Sequence, residues 1–311
     1  MSASDGRGAE GREGLNRPRQ ASASDGRGAE GRESLDRPRE PGTPDGGGAG
    51  RRDAPAAPGR PGAIEPVIKA VDLAVAFNGR TIFKDVTFEV RRGEIFVILG
   101  GSGCGKSTLL KALIGLVPLA AGHAWLLGEE LAAADDAARR ALLRRIGVMW
   151  QSGALFGSMT LAENVELPLE EHTDLPRPAR EVLARAKLGL VGLGDAAARL
   201  PAEISGGMAK RAGIARAMAL DPPLLFLDEP SAGLDPITSA GLDKLIRDIA
   251  RETGTTFVVV THELQSILAI GDRCIMLDKQ AQGMIAEGDP RKLREESTHP
   301  TVRAFFRREA A

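Results

Sequence analysis

Three uninterrupted apolar runs lie along the chain: IFVIL at residues 95–99, LLFL at 224–227 and FVVV at 257–260. A strand that is covered on both faces has no polar side, so continuous hydrophobicity is typical of the strands of a parallel sheet. The third run belongs to a longer β-branched stretch at residues 255–261. The pattern therefore predicts an α/β fold built on a parallel sheet.

Two other segments show a different periodicity. Large apolar residues alternate with alanine at 73–77 and with polar residues at 86–90, which indicates strands that are covered on one face. Asn78 and Gly79 supply a turn between them, so we expect an antiparallel sheet on one side of the core. From about residue 153 to 203 the chain is rich in Leu, Ala, Glu and Arg without a strand-like run, which predicts a helical subdomain.

The two ends of the chain differ from this central part, which we expect to form one domain over residues 67–288. Residues 1–66 contain the segment ASDGRGAEGRE twice, starting at Ala3 and at Ala23. Low complexity with few large apolar side chains predicts a disordered tail, and the sequence leaves open whether it binds a partner or is an unselected start. Residues 289–311 end in TVRAFFRREAA and predict a helical extension whose Phe305 and Phe306 pack on the domain, with a second copy or a membrane surface as the alternatives.

Composition narrows the function classes. The net charge is −1, which gives no argument for a nucleic-acid partner. The two cysteines, Cys104 and Cys274, have no paired spacing, so neither a disulfide nor a cysteine metal site is expected. No stretch approaches the roughly 20 apolar residues that span a bilayer, and the N-terminus lacks the apolar core of a signal peptide. We therefore do not expect the chain to cross a membrane by itself.

Residues 100–108 read GGSGCGKST and directly follow the first apolar run. The glycines allow the backbone to curl so that consecutive N–H groups point at phosphate oxygens, and the helix predicted to begin at Lys106 adds its positive dipole end. In the spacing G-x-x-x-x-G-K-S, Lys106 reaches the outer phosphates and the Ser107 hydroxyl binds Mg²⁺. The preceding strand and the following helix argue against a chance match, so the expected ligand is a nucleoside triphosphate.

Each of the other two apolar runs is followed by residues that could bind Mg²⁺ or take part in catalysis. Asp228 and Glu229 follow the second run and His262 follows the third, at the sheet edge where α/β proteins bind ligands. Asp228 is the candidate for organising Mg²⁺, Glu229 for the general base and His262 for linking that base to the γ-phosphate region. The alternatives are an acidic pair that merely starts a turn before Pro230, and a structural histidine.

The segment ISGGM at residues 204–208 is a second candidate phosphate loop. Ser205 is suited to cap the helix that follows, and Gly206 and Gly207 leave the backbone N–H groups at its start accessible. This segment lies about a hundred residues after the first loop. Two such loops in one chain indicate one nucleotide held between two copies.

Together these motifs resemble the ATP-binding cassette (ABC) ATPases. The phosphate loop, Gln151 in the place of the Q-loop, the signature-like ISGGM, LLFLDEP, the D-loop SAGLD and His262 occur in the order of that family, over roughly residues 67–288. The resemblance implies a P-loop NTPase cassette with a RecA-like core, an antiparallel β subdomain and a helical subdomain. It further implies a head-to-tail dimer in which the D-loop residues Ser231 and Asp235 cross the interface.

The resemblance also assigns the site. It implies that Glu229 and His262 are catalytic and that Ser107, Gln151 and Asp228 bind Mg²⁺. Phe77 is expected to stack on adenine where the family prefers tyrosine, with an ordinary core aromatic as the alternative. The residues expected to bind ATP are Phe77, Gly100, Gly101, Ser102, Gly103, Cys104, Gly105, Lys106, Ser107, Thr108, Gln151, Ser205, Gly206, Gly207, Asp228 and Asp235.

Within the family, three features resemble the Mla-type ATPases of lipid transporters: Met208 in the signature, EHT at residues 171–173 and DPIT at 235–238. This resemblance implies an ATPase at the cytoplasmic face of the inner or plasma membrane, held there by a permease and working with an MCE-domain lipid-binding protein. The family's permeases dock on the helical subdomain, so Leu155, Phe156 and Met159 are candidate contacts, with plain core packing as the alternative for these residues. The alternative function is the ATPase of an importer of small solutes. An ABC protein of DNA repair or ribosomes is disfavoured because the chain has one P-loop, no heptad run and no CxxC.

Overall fold

The computed structural model describes residues 65–132 and 134–308. The tail predicted for residues 1–66 lies outside the described residues, apart from its last two, and the C-terminal extension is described as far as residue 308. The described strands are β1 (Ile68–Phe77), β2 (Arg80–Val90), β3 (Ile95–Gly100), β4 (Ala121–Leu126), β5 (Glu129–Glu130), β6 (Ile146–Met149), β7 (Leu224–Asp228), β8 (Thr256–Val260), β9 (Arg273–Asp278) and β10 (Gly283–Gly288).

Helices connect and cover these strands. They are α1 (Lys106–Leu113), α2 (Asp136–Leu143), α3 (Leu161–His172), α4 (Arg177–Leu190), α5 (Gly206–Ala217), α6 (Pro236–Thr253), α7 (Leu264–Ile270), α8 (Pro290–Glu296) and α9 (Pro300–Arg307), with 3₁₀ turns at Gly194–Ala196 and Pro201–Glu203. Among the described residues, none of the helices combines the length and the apolar character that a bilayer crossing requires.

The larger sheet has six strands in the order β10-β9-β3-β8-β7-β6. All neighbours in it are parallel except β10, which pairs antiparallel with β9. Every residue of β3, β7 and β8 is buried, as the three continuous apolar runs predict. Because these strands are parallel neighbours, their carboxyl ends bring the phosphate loop, Asp228 and the segment before His262 to one edge of the sheet.

The smaller sheet is antiparallel, in the order β2-β1-β4-β5. Asn78 and Gly79 join β1 to β2 with φ values of 50° and 75°, the two consecutive positive angles of a tight hairpin turn. A hydrophobic core that includes Phe83, Leu110 and Phe226 joins this sheet and α1 to one face of the larger sheet. The predicted α/β cassette with an antiparallel sheet on one side is therefore confirmed.

The opposite face of the larger sheet carries helices α3, α4, α5 and α6. Leu225, Leu227 and Phe257 point into a second core that includes residues of α3, α4, α5 and α6. Residues 153–203 contain α3, α4 and the two 3₁₀ turns, and no strand. A third core holds Val302 and Phe306 of α9 against β3, α7 and β9, so the extension packs on the domain, as expected from its sequence.

Candidate functional site

The phosphate loop begins where β3 ends and closes where α1 begins. Gly100 has a φ of 149°, and a Cβ at this position would lie 2.3 Å from the carbonyl oxygen of Leu277. Only glycine satisfies both the backbone angle and this close approach. Gly105 caps α1 in the left-handed conformation, with a φ of 101° and no side chain over the helix start. The N–H groups of the loop and of α1 are therefore free to bind an anion.

Lys106 is the first residue of α1, and its side chain curls back over the loop. Its residue surface is 8% exposed, and Nζ donates to the carbonyl oxygens of Gly100 and Gly101, both at 3.0 Å. The ammonium thus lies inside the loop with its remaining donor capacity available. This placement puts a positive charge beside the N–H groups that would bind phosphate.

The strand-end carboxylate Asp228 is buried beside α1. The Ser107 hydroxyl donates to its Oδ1 at 3.1 Å, across 121 residues of sequence. Burial raises the pKa of Asp228, while this hydrogen bond and the nearby lysines lower it. A hydroxyl and a carboxylate are oxygen donors that Mg²⁺ prefers, and Gln151 lines the same cavity as Ser107, so the residues fit this ion.

Glu229 lies one residue beyond the end of β7 in an unusual conformation. Its φ is 49°, in the left-handed region, and its backbone N–H donates to the carbonyl of Val260 at 2.8 Å. Oε1 lies 2.8 Å from Nδ1 of His262, while Oε2 is buried and has no hydrogen-bond partner among the residues that the structure describes. A buried carboxylate oxygen that lacks a partner requires an explanation, and a positioned water would supply the missing donor.

These elements surround one open cavity of about 540 Å³. Phe305 of α9 also reaches its wall, a contribution that the sequence did not predict. Seven of the expected ATP-binding residues do not line it: Phe77, Cys104, Ser205, Gly206, Gly207, Asp228 and Asp235. Phe77 is exposed at the end of β1, whereas Cys104 and Asp228 are buried. The lining residues are Gly100, Gly101, Ser102, Gly103, Gly105, Lys106, Ser107, Thr108, Gln151, Glu229, His262 and Phe305.

The second phosphate loop lies outside this cavity. Ser205 caps α5, with Oγ accepting from the Met208 N–H at 3.2 Å, and Gly206 is exposed. A Cβ at Gly207 would lie 2.5 Å from Cγ2 of Thr238, so close helix packing requires this glycine. None of Ser205, Gly206 and Gly207 lines the cavity of its own chain. Their predicted contact with ATP would thus require a second copy.

The D-loop residues have partners within the chain. Asp235 caps α6, its carboxylate accepting from the N–H groups of Ile237 and Thr238 at 3.1 and 3.0 Å. Ser231 is buried, and its Oγ lies 3.4 Å from Oγ of Ser266. The expected roles of Ser231 and Asp235 across a dimer interface stay predictions.

Three residues that hold the site's surroundings were missed by the sequence reasoning. Asn164 is buried and binds the backbone of the loop before α3, including both the N–H and the carbonyl of Phe156. Arg216 donates to the carbonyls of Gly153 and Ala154, and Lys210 donates to those of Gln151 and Glu229. A polar residue inside an otherwise regular helix is the only sequence signal for each, and such residues are usually exposed.

The two thiols permit a simple test of this arrangement. Burial raises the pKa of Cys104, and raises that of Cys274 to about 12. The thiolate is the reactive form, so at pH 8 only about one Cys274 in ten thousand would be ionised. We expect a disulfide reagent to modify neither cysteine in the folded protein at pH 8, and both after denaturation. Rapid release of one thiol equivalent from the native protein would contradict the packing described for the loop.

The fold and the cavity define a P-loop nucleotide-binding protein, and comparison with known proteins narrows the class. The ATP-binding cassette MJ0796, solved as a dimer in a post-hydrolysis state with ADP and Pi, superposes with a TM-score of 0.65 and 29% identity over 71% of this chain and 98% of that one. The cassette cbiO1 of Clostridium perfringens, part of an ABC transporter complex, gives a TM-score of 0.69 and 25% identity over 74% and 91%.

Sequence comparison agrees with the superpositions. The ABC transporter family model matches residues 83–232. The intermembrane phospholipid transport system ATP-binding protein MlaF of Escherichia coli K12 is 41% identical over 71% of this chain and 84% of that protein. The probable ribonucleotide transport ATP-binding protein mkl of Mycobacterium leprae is 40% identical over 77% of this chain, which spans about two thirds (68%) of that relative.

The chain therefore belongs to the ATP-binding subunits of ABC transporters. It binds ATP and hydrolyses it. The expected family and enzyme class are confirmed, whereas the role of each site residue stays a prediction that the geometry supports.

Proposed function

We propose that this protein is the ATPase of a phospholipid transporter that works with an MCE-domain lipid-binding protein. The observation that carries the proposal is the 41% identity to MlaF over 84% of that protein's length. Met208, the EHT segment and the DPIT segment support the same subgroup. A small-solute transporter is the second candidate, because relatives of similar identity are named as probable ribonucleotide transport proteins.

The proposed chemistry divides the work among residues of the cavity. The N–H groups of residues 100–108 and the Lys106 ammonium bind the phosphates, and Glu229 accepts the proton of the attacking water through its unpartnered Oε2. His262 holds the other carboxylate oxygen and so orients Glu229. Ser107, Gln151 and Asp228 would hold Mg²⁺, which when bound neutralises charge that develops on the phosphates.

We further propose that two copies associate head to tail to complete each site. Ser205, Gly206 and Gly207 would approach the ATP on the other copy, because they do not line the cavity of their own. The MJ0796 cassette, which is similar in fold, is dimeric. Phe77, 45% exposed at the end of β1, would supply an aromatic face for adenine.

The permease is proposed to dock on the loop before α3. Phe156 is 50% exposed there, and Arg216 lies 5.9 Å from its ring centroid. The Asn164 side chain holds the backbone of this loop through hydrogen bonds to Phe156, Met159 and Thr160. An exposed aromatic on a rigid loop fits a protein contact. The subunit would thereby be a peripheral protein at the cytoplasmic face of the membrane.

Replacing Phe156 by glutamate should detach the subunit from its permease and leave ATP binding within about twofold, since the change places a charge in an apolar contact and Phe156 does not line the nucleotide cavity. The measurement is copurification with membranes, and Val182→Glu is the matched control because Val182 on α4 is also exposed, at 66%. Equal retention of both variants would contradict this docking site.

The transported class is tested by purifying the tagged protein from its native membranes in mild detergent. A permease, an MCE-domain protein and enriched phospholipid are expected together. Recovery of a permease with a soluble solute-binding protein, or stimulation of ATPase activity by ribonucleotide cargo rather than lipid, would favour the second candidate.

A further inference from the structure

Helix α5 lies directly against the backbone of the segment that follows Gln151. A Cβ at Gly213 would lie 3.2 Å from the Cα of Gly153, and one at Gly153 would lie 3.1 Å from the carbonyl oxygen of Ala209. Arg216, further along the helix, donates to the carbonyls of Gly153 and Ala154 at 3.0 and 2.7 Å. Contact this close, backbone against backbone, makes it difficult for α5 to move without this segment.

Lys210 extends this contact into the cavity wall. Its residue surface is 7% exposed, and Nζ donates to the backbone carbonyl of Gln151 and, at 3.3 Å, to that of Glu229. Within the described residues these two carbonyls are its recorded hydrogen-bond partners, and no carboxylate lies within ion-pair distance. One ammonium thus joins α5 to two residues that line the nucleotide cavity.

Of the two residues that Lys210 binds, Glu229 depends more on this hydrogen bond. A glutamate with a φ of 49° adopts a conformation that its neighbours must hold in place. Its N–H donates to the carbonyl of Val260, and its own carbonyl accepts from the Ala232 N–H at 3.2 Å and from Lys210 at 3.3 Å, so both sides of the residue's backbone are restrained. The direction of the carboxylate, and hence of the unpartnered Oε2, depends on that backbone.

We propose that Lys210 is a positioning residue for ATP hydrolysis, which sets Glu229 and Gln151 according to the position of α5. The proposal rests on the site roles proposed above. The N-terminus of α5 carries Ser205, Gly206 and Gly207, which would contact the ATP bound to the other copy. Lys210 therefore links the occupancy of one nucleotide site to the alignment of the base in the other.

Lys210→Met tests the proposal, because methionine fills a similar volume and donates no hydrogen bond. In the full chain with MgATP alone, we expect kcat to fall about tenfold or more while KM for ATP changes by less than twofold, since the change misaligns the base without altering the phosphate loop. Lys210→Arg retains the donors and should restore at least a third of kcat. Lys244→Met is the control for loss of a lysine, because Lys244 is exposed on α6.

A kcat of Lys210→Met within twofold of the wild type would overturn the proposal. An equal loss of kcat and of ATP affinity in both the Met and the Arg variants would also overturn it, because it would indicate a purely structural role. If Lys210→Met does not fold, Lys210→Gln is used for the same measurement, because its shorter amide reaches at most one of the two carbonyls. It should lower kcat at least threefold at unchanged KM, and a wild-type kcat overturns the proposal.

The assay separates this inference from the proposed function. It needs neither permease nor lipid, so an error in the transported class would leave its outcome unaltered. Glu229→Gln is measured in the same series. If that variant keeps its turnover, the assignment of the site fails, whereas a dead Glu229→Gln beside an active Lys210→Met rejects Lys210 alone.

Discussion

Replacing Glu229 by glutamine is expected to lower kcat for ATP hydrolysis by about two to four orders of magnitude while ATP still binds. The amide is similar in shape to the carboxylate but cannot accept the proton of the attacking water. The change leaves the phosphate loop intact, so the dissociation constant for ATP should stay within about twofold. Steady-state phosphate release and equilibrium nucleotide binding measure the two quantities.

The same variant should accumulate as a closed dimer with ATP, which light scattering after gel filtration would detect. Glu263→Gln is the matched control, because Glu263 follows His262 in the loop after β8 and its Oε1 lies 3.9 Å from Nε2 of that histidine. It does not line the cavity and should retain most of the activity. Turnover of Glu229→Gln near the wild-type value would remove Glu229 as the base.

Replacing Lys106 by alanine should abolish ATP binding at ordinary concentrations. Charge-assisted hydrogen bonds to a buried ammonium contribute about 1.5–3 kcal/mol each, so loss of its phosphate contacts should raise the dissociation constant about tenfold to more than a hundredfold. Titration calorimetry or a fluorescent ATP analogue would measure it. Lys111→Ala on the same helix is the control, because Lys111 is exposed.

The thermal stability of the variant must be measured as well, because Lys106 also donates to the carbonyls of Gly100 and Gly101 and its loss removes these hydrogen bonds. Ordinary ATP affinity in a folded Lys106→Ala protein would reject the phosphate-loop assignment. Weak binding by both lysine variants would instead show a general electrostatic effect.

Much of the fold could be predicted because its signals are local. The continuous apolar runs could only be strands buried on both faces, and they form β3, β7 and β8. Asn78 and Gly79 tolerate positive φ angles, so these two residues were enough to predict the hairpin turn between β1 and β2. The helix boundaries at Lys106 and after Ser205 followed from glycine and capping chemistry.

The candidate site was predictable to the extent that it follows strand ends. Parallel strands bring their carboxyl ends together, which is why Ser107 and Asp228 could be paired although 121 residues separate them. Seven of the expected ATP-binding residues were not found in the cavity wall: Phe77, Cys104, Ser205, Gly206, Gly207, Asp228 and Asp235. Phe77 is exposed at the end of β1, and the Cys104 side chain is buried.

The sequence by itself determined the kind of ligand, the residues that follow the buried strands at the sheet edge, and the family. Glycine spacing, buried apolar runs and strand-end acids are signals that extend over only a few residues. The tertiary structure alone decided the left-handed backbone of Glu229, its bond to His262 and the position of Phe305 at the cavity wall. It also decided that Lys210 is buried rather than exposed. Burial of a lysine depends on the distant backbone that packs over it, here 59 residues away at Gln151, and no local pattern carries that information.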